Sequence, residues 1–211
     1  MAFDYKKEYK EYYMPGQTPA LVIIPKMNFI AVSGRGDPNI PDGEYQAAMN
    51  LLYGLAYTLK MSHKTPYKIN GFFEYVVPPL EGLWWQEGLE EVDYSRKDAF
   101  QWISLIRLPD FISTADLEWA RAKASEKKKA DFSRVQLLSY TEGLCVQQLH
   151  LGSYDDEPAT VAAMAAFIKE KGYRTDITEA RRHHEIYLSD PRKTEPSKLK
   201  TVLRHPIKKA D

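Results

Sequence analysis

The chain has a single cysteine, Cys145, in 211 residues. This excludes an internal disulfide and leaves no thiolate set for a zinc site. Cys145 sits between Leu144 and Val146 in an apolar strand pattern, so a core thiol is expected rather than a nucleophile. Net charge is missing as well: 29 Lys and Arg balance 29 Asp and Glu. Nucleic-acid backbones are bound by neutralising phosphates, so no nucleic-acid partner is expected. The basic runs Lys127–Lys129 and Arg204–Lys209 read as solvated faces. No apolar run approaches a bilayer span, and Met1 to Lys10 is charged from Asp4 onward, unlike a secretory leader. A soluble cytoplasmic protein with no membrane partner is the expectation.

Several chemical signatures are lacking too. Gly34-Arg35-Gly36 has neither the Gly-Lys-Ser/Thr ending of a phosphate loop nor the full dinucleotide fingerprint. There is no Gly-x-Ser-x-Gly elbow and no Cys–His pair with a third group. The five histidines (63, 150, 183, 184, 205) have no metal-ligand grouping, and adjacent His183 and His184 point to opposite faces of a strand. No cofactor and no metal are expected.

Aromatic side chains are plentiful: fourteen Tyr, eight Phe and four Trp. They fill cores, and they also build cavities that grip flat ligands. Residues 1–19 read as an N-terminal arm with helical character over Asp4–Tyr13, ended by Met14-Pro15-Gly16. Residues 20–211 then read as one domain. Its first part, about 20–109, has strands at Ala20–Ile24 and Met27–Ser33 joined by a Pro25-Lys26 turn. A helix over Pro41–Met61 follows, with Ala47, Leu51, Leu55 and Leu59 along one face, and then strands at Ile69–Val77 and Phe100–Leu108. A linking helix spans about 113–129, with Ser113 or Thr114 as N-cap and Asp116 in its first turn.

The second part, about 134–206, repeats the order: strands at Val135–Tyr140 and Leu144–Leu151, a helix over Pro158–Lys171 closed by Gly172, and strands at His183–Leu188 and Leu199–Arg204. Ala47-Ala48-Met49 answers Ala162-Ala163-Met164 about 115 positions later, and Phe72–Tyr75 stands where His183–Tyr187 stands later. Two strand-helix-strand-strand modules imply an α+β fold with pseudo-twofold symmetry. Their antiparallel sheets join because neither is stable alone, with helices on one side and a ligand cleft at the axis on the other.

The stretch Arg181–Pro191, RRHHEIYLSDP, carries the sharpest functional signal. Residues two apart in a strand share a face, so His183, Glu185, Tyr187 and Ser189 lie together, opposite His184, Ile186 and Leu188. A carboxylate among aromatics is desolvated, which makes it a stronger base and an attractor for a flat cation. Glu185 is therefore the candidate base, with His183 and Tyr187 beside it as hydrogen-bond donors to a developing oxyanion. Trp84, Trp85, Trp102, Phe73, Tyr75 and Tyr140 are the candidate cleft walls.

Asp4-Tyr5-Lys6-Lys7-Glu8-Tyr9-Lys10, Met27-Asn28-Phe29, Gly34-Arg35-Gly36-Asp37-Pro38-Asn39 and Arg182–Pro191 resemble stand-alone GyrI-like small-molecule-binding proteins. The resemblance covers nearly the whole chain and implies two strand-helix-strand-strand modules. It also implies an aromatic cleft whose glutamate meets planar, cationic ligands. Some stand-alone members resemble hydrolases of cyclopropanoid DNA-alkylating compounds typified by yatakemycin and CC-1065. On that resemblance Glu185 would activate a water that opens the spirocyclopropane. The alternatives are a non-catalytic multidrug-binding protein and a gyrase-inhibitor-like interaction protein. Either way the expected partners are planar hydrophobic small molecules, for a monomer or a homodimer.

Overall fold

Strand alternation in this chain produces a sheet that closes on itself. The computed structural model describes residues 2–89 and 92–210; Met1 of the expected arm and Asp211 of the expected domain lie outside them. Its strands are β1 (Ala20–Arg35), β2 (Leu80–Trp85), β3 (Gln101–Arg107), β4 (Gln136–Leu151), β5 (Tyr173–Thr175), β6 (His183–Tyr187) and β7 (Lys200–Lys209). All pairings among them are antiparallel, in the order β4–β1–β3–β2–β6–β7, and β4 pairs again with β7 to complete a barrel. The short β5 pairs with the end of β7. The helices are α1 (Tyr5–Glu8), α2 (Lys10–Tyr13), α3 (Glu44–Lys60), α4 (Thr114–Lys128) and α5 (Glu157–Glu170).

β1 and β4 are each continuous, where the sequence reads as a pair of short strands with a turn. Pro25 lacks an amide hydrogen and faces Glu142 within an unbroken register. The side-chain alternation skips once there: Val22 and Ile24 share the apolar interior with Met27, Phe29 and Ala31. Gly143, across from Ile24, takes a φ of 73° that its missing Cβ permits. What reads locally as a turn is a bend in two long paired strands.

The predicted strand at Ile69–Val77 is instead an irregular segment with one bridge, Phe3 to Tyr75. The strand beside β6 is β2, which pairs Gly82 with Glu185 and Trp84 with His183. On α3 the buried residues are Ala48, Leu52, Gly54, Leu55, Ala56 and Leu59, so Ala47 and Leu51 give way to their neighbours. Ser113 caps α4 in a reciprocal capping box with Asp116.

Helices α3 and α4 cover one stretch of the barrel wall through Ile30, Val32, Trp84, Trp102 and Ile106. Helix α5 covers another through Val146, Leu203 and Ile207. The face opposite the helices is the barrel interior, not an open concavity. Met27, Phe29, Leu83, Leu105 and Cys145 fill it, together with a buried ionic cluster. His184 lies 3.0 Å from Glu81 and 3.1 Å from Glu142, and Arg204 lies 3.2 Å from Glu142. The arm stops the barrel mouth: Arg204 donates to the Tyr12 carbonyl at 2.6 Å and the Tyr13 hydroxyl donates to Glu81 at 3.3 Å. The pocket inside the barrel is about 10 Å³, and a far larger cleft lies on the helix side. Among the described residues no helix is long and apolar enough to cross a membrane.

Candidate functional site

A cleft of about 740 Å³ opens on the helix side, between α3, the segment 92–100, the start of α5 and the chain after β6. Its walls are aromatic: Tyr45, Tyr53 and Tyr57 of α3, then Tyr94, Phe100 and Tyr154. Its floor is the β2–β6 pair, presenting Trp84, Glu185 and Tyr187. The size suits a drug-sized ligand with a mostly apolar surface.

Strand parity puts His183, Glu185 and Tyr187 on one face, as the sequence indicates. His183 Nε2 lies 3.0 Å from Glu185 Oε1, and Tyr187 hydrogen-bonds to Glu185 from the other side. Trp84 Nε1 donates to the Tyr187 hydroxyl at 2.8 Å. Burial, followed by the Glu185 charge, pushes the Tyr187 hydroxyl well above the usual phenol range, so Tyr187 keeps its proton. This network spans the space over Gly82. A Cβ there would stand 2.5 Å from Trp84 Nε1 and 3.0 Å from the Tyr187 hydroxyl. Only a glycine leaves room for the bond between them.

A second carboxyl faces the first. Glu157 opens α5 and is fully buried. Single side-chain atoms of Glu157, His183 and Glu185 lie within 4.8 Å of one another. Tyr94 donates to Glu157 Oε2 at 3.0 Å. Burial and then the Glu185 charge hold the Glu157 carboxyl well above the usual carboxylate range. Two carboxyls this close cannot both ionise cheaply, so Glu157 keeps a proton. The loop before α5 is tied to the segment 92–100 by Lys97 and Asp155 at 2.6 Å. The donor set of Glu157, His183 and Glu185 suits a divalent ion in chemical type.

Of the aromatics nominated from sequence, the structure brings only Trp84 to the cleft. Trp85 follows it on a strand and so faces away, stacked under Arg182 at 4.6 Å. Trp102 is fully buried beneath α3, edge-on to Tyr45. Phe73 is 42% exposed and packs on Phe3 and Phe111. Tyr75 is buried with the arm residues Tyr5 and Tyr13. Tyr140 lines the barrel interior with Glu142 and His184. Phe73 and Tyr75 follow from reading 69–77 as a strand, and that segment is irregular.

Sequence reading missed Glu157, Tyr45, Tyr94 and Tyr154. Glu157 had one legible signal, an acid directly before Pro158 where a helix begins. Nothing local shows that this helix start packs against β6.

A closed antiparallel barrel carrying an aromatic cleft, with Glu185 on its floor and the buried Glu157 close to it, belongs to the class of small-molecule-binding proteins. Residues 17–208 match the model of the GyrI-like small molecule binding domain, and the chain is a member of that family. Its sequence is 48% identical to that of an uncharacterized conserved protein from Listeria innocua; the alignment covers 98% of this chain and 100% of that one, with a TM-score of 0.91. Two structures described as hydrolases from Listeria innocua are 45% and 46% identical. They cover 98% and 99% of this chain and 100% of their own, with TM-scores of 0.89 and 0.91. The EcmrR C-terminal domain shares the fold at 12% identity and a TM-score of 0.54, covering 92% of this chain and 98% of its own. Comparison with proteins of curated function returned no match.

Proposed function

We propose that this protein is a hydrolase that opens the strained cyclopropane of planar cyclopropanoid DNA-alkylating compounds, of the yatakemycin and CC-1065 type. The observation that carries this reading is Glu185 on the floor of an aromatic cleft, with the buried Glu157 carboxyl within 4.8 Å of it. Glu157 holds the proton, so Glu185 is the base. Its orientation is set by His183 and Tyr187, which serve the carboxylate and not the substrate oxygen. Flat ring systems stack between the α3 tyrosines and the opposite wall.

In the reaction Glu185 takes a proton from a water whose oxygen bonds to the cyclopropane methylene. The ring C–C bond breaks, and its electron pair passes through the conjugated system to the dienone oxygen. That oxygen takes a proton from solvent on the open side of the cleft and becomes a phenol. Glu185 returns its proton to solvent, so the net change is addition of one water. Ring strain supplies the driving force, and the site supplies orientation and a base. The hydrolase description of two relatives supports the reaction type.

The test is incubation with a spirocyclopropane compound and detection of the water-added product by mass spectrometry. Glu185→Gln should lower turnover by about 10²–10⁴-fold while ligand still quenches tryptophan fluorescence. Undiminished turnover in that variant would eliminate Glu185 as base. Tight binding with no product from the parent would leave a drug-binding protein instead.

A further inference from the structure

Behind Glu185 lies a second imidazole that the proposed reaction does not use. His205 of β7 pairs across the sheet near His183, and the two rings meet edge to face, with His183 Nδ1 and His205 Nε2 2.6 Å apart. The three side chains form a line, Glu185 Oε1 to His183 Nε2 at 3.0 Å and then His183 Nδ1 to His205 Nε2 at 2.6 Å. All three residues are buried. Solvent is therefore poorly placed to substitute for a missing hydrogen-bond partner in this line.

We propose that His205 is a positioning residue: its Nε2–H donates to His183 Nδ1 and so fixes His183 as the tautomer whose Nε2–H points at Glu185. The argument is one of proton counting. A carboxylate oxygen only accepts, so the contact at 3.0 Å needs hydrogen on His183 Nε2. A neutral His183 then has a bare Nδ1, which needs a donor. Among the described residues, the nitrogen hydrogen-bonded to it is His205 Nε2. The reverse tautomers would set a ring lone pair against the Glu185 carboxylate. Among the neutral tautomers of the two rings, one arrangement satisfies both contacts to a carboxylate Glu185.

The groups facing this line are consistent with it. Glu185 lies on β6, Glu157 comes from the start of α5, and Glu142 of β4 acts from the barrel interior. Burial, then the neighbouring His183, holds His205 down at about 3, so it is neutral through the physiological range and free to act as a fixed donor. The consequence for the proposed hydrolase is that the orientation of its base is set one residue further back, on β7. Orienting partners of a functional imidazole are worth about 10–100-fold in activity.

This inference rests on Glu185 acting as a carboxylate, but its test does not require turnover. The ¹⁵N shifts of His183, assigned by NMR on the full chain between pH 6 and 8, should report the neutral Nε2–H tautomer. His205→Gln keeps an N–H at this position and should leave that tautomer in place. His205→Leu removes the donor and should shift His183 toward Nδ1–H. In the same variant kcat should fall about 10–100-fold with KM nearly unchanged, and the acid limb of the rate profile should move to higher pH. Parent His183 as the Nδ1–H tautomer or the imidazolium would overturn the proposal. So would an unchanged tautomer in a folded His205→Leu protein. Absence of turnover in the parent would instead sink the hydrolytic reading, and the NMR result would still decide the role of His205.

Discussion

Gly82→Ala tests the link between backbone and chemistry most directly. Gly82 pairs with Glu185 across the β2–β6 ladder, and the Trp84–Tyr187 hydrogen bond passes over its Cα. The new methyl would lie 2.5 Å from Trp84 Nε1 and 3.0 Å from the Tyr187 hydroxyl, closer than carbon normally approaches either atom. Neither ring can retreat freely. Trp84 is packed on Tyr45 and Phe100, and Tyr187 is bonded to Glu185. Overpacking of this kind costs about 1–3 kcal/mol, which for a chain of this size lowers the midpoint by roughly 2–12 °C. The indole must tilt, Tyr187 loses its donor, and Glu185 loses a fixed orientation. Thermal unfolding by circular dichroism measures the first effect, and product formation from a spirocyclopropane compound measures the second. Tryptophan emission should also change, because the Trp84 N–H loses its partner. A Gly82→Ala protein with parental stability and parental turnover would refute the reasoning that this glycine makes room for the network.

Two further predictions concern protonation. His184 is buried inside the barrel; burial opposes its charge, but Glu142 and Glu81 prevail and hold it at about 9, against an ordinary 6.5. A base raised on folding contributes stability that is complete below pH 6.5 and lost as pH rises toward 9, here about 3 kcal/mol. Glu157, an acid raised on folding, contributes with the same sign as pH rises above the ordinary carboxylate range. Urea unfolding at pH 6.5 and pH 9 should show this decline, and equal stability at both would contradict it. Glu157→Gln should abolish the alkaline limb of the kcat/KM profile while keeping the acid limb, since the variant has no second carboxyl to ionise beside Glu185. Retention of both limbs would show that Glu157 does not control the pair.

The chain shows how far strand periodicity reaches. Alternation along residues 183–187 was enough to put His183, Glu185 and Tyr187 on one face, because that rule depends only on the backbone. The same rule says that Trp84 and Trp85 point opposite ways, but not which of them meets the ligand. It failed at Pro25, where a long strand bends without turning, and at Ile69–Val77, whose apolar run pairs with nothing in the barrel and packs against the arm. The second failure misplaced Phe73 and Tyr75, since a side chain's direction follows from its strand's real course.

The α+β class and the face on which Glu185 lies are legible in the residues alone. These follow from local periodicity, capping and turn chemistry. Only the tertiary structure decided that the sheet closes and fills its own interior, which moves the cleft to the helix side. It alone brought Glu157 from the start of α5 to the β6 acid, and His205 from β7 to His183 behind that acid. Contacts between residues far apart in sequence depend on how strands close around a core, and no local pattern records that.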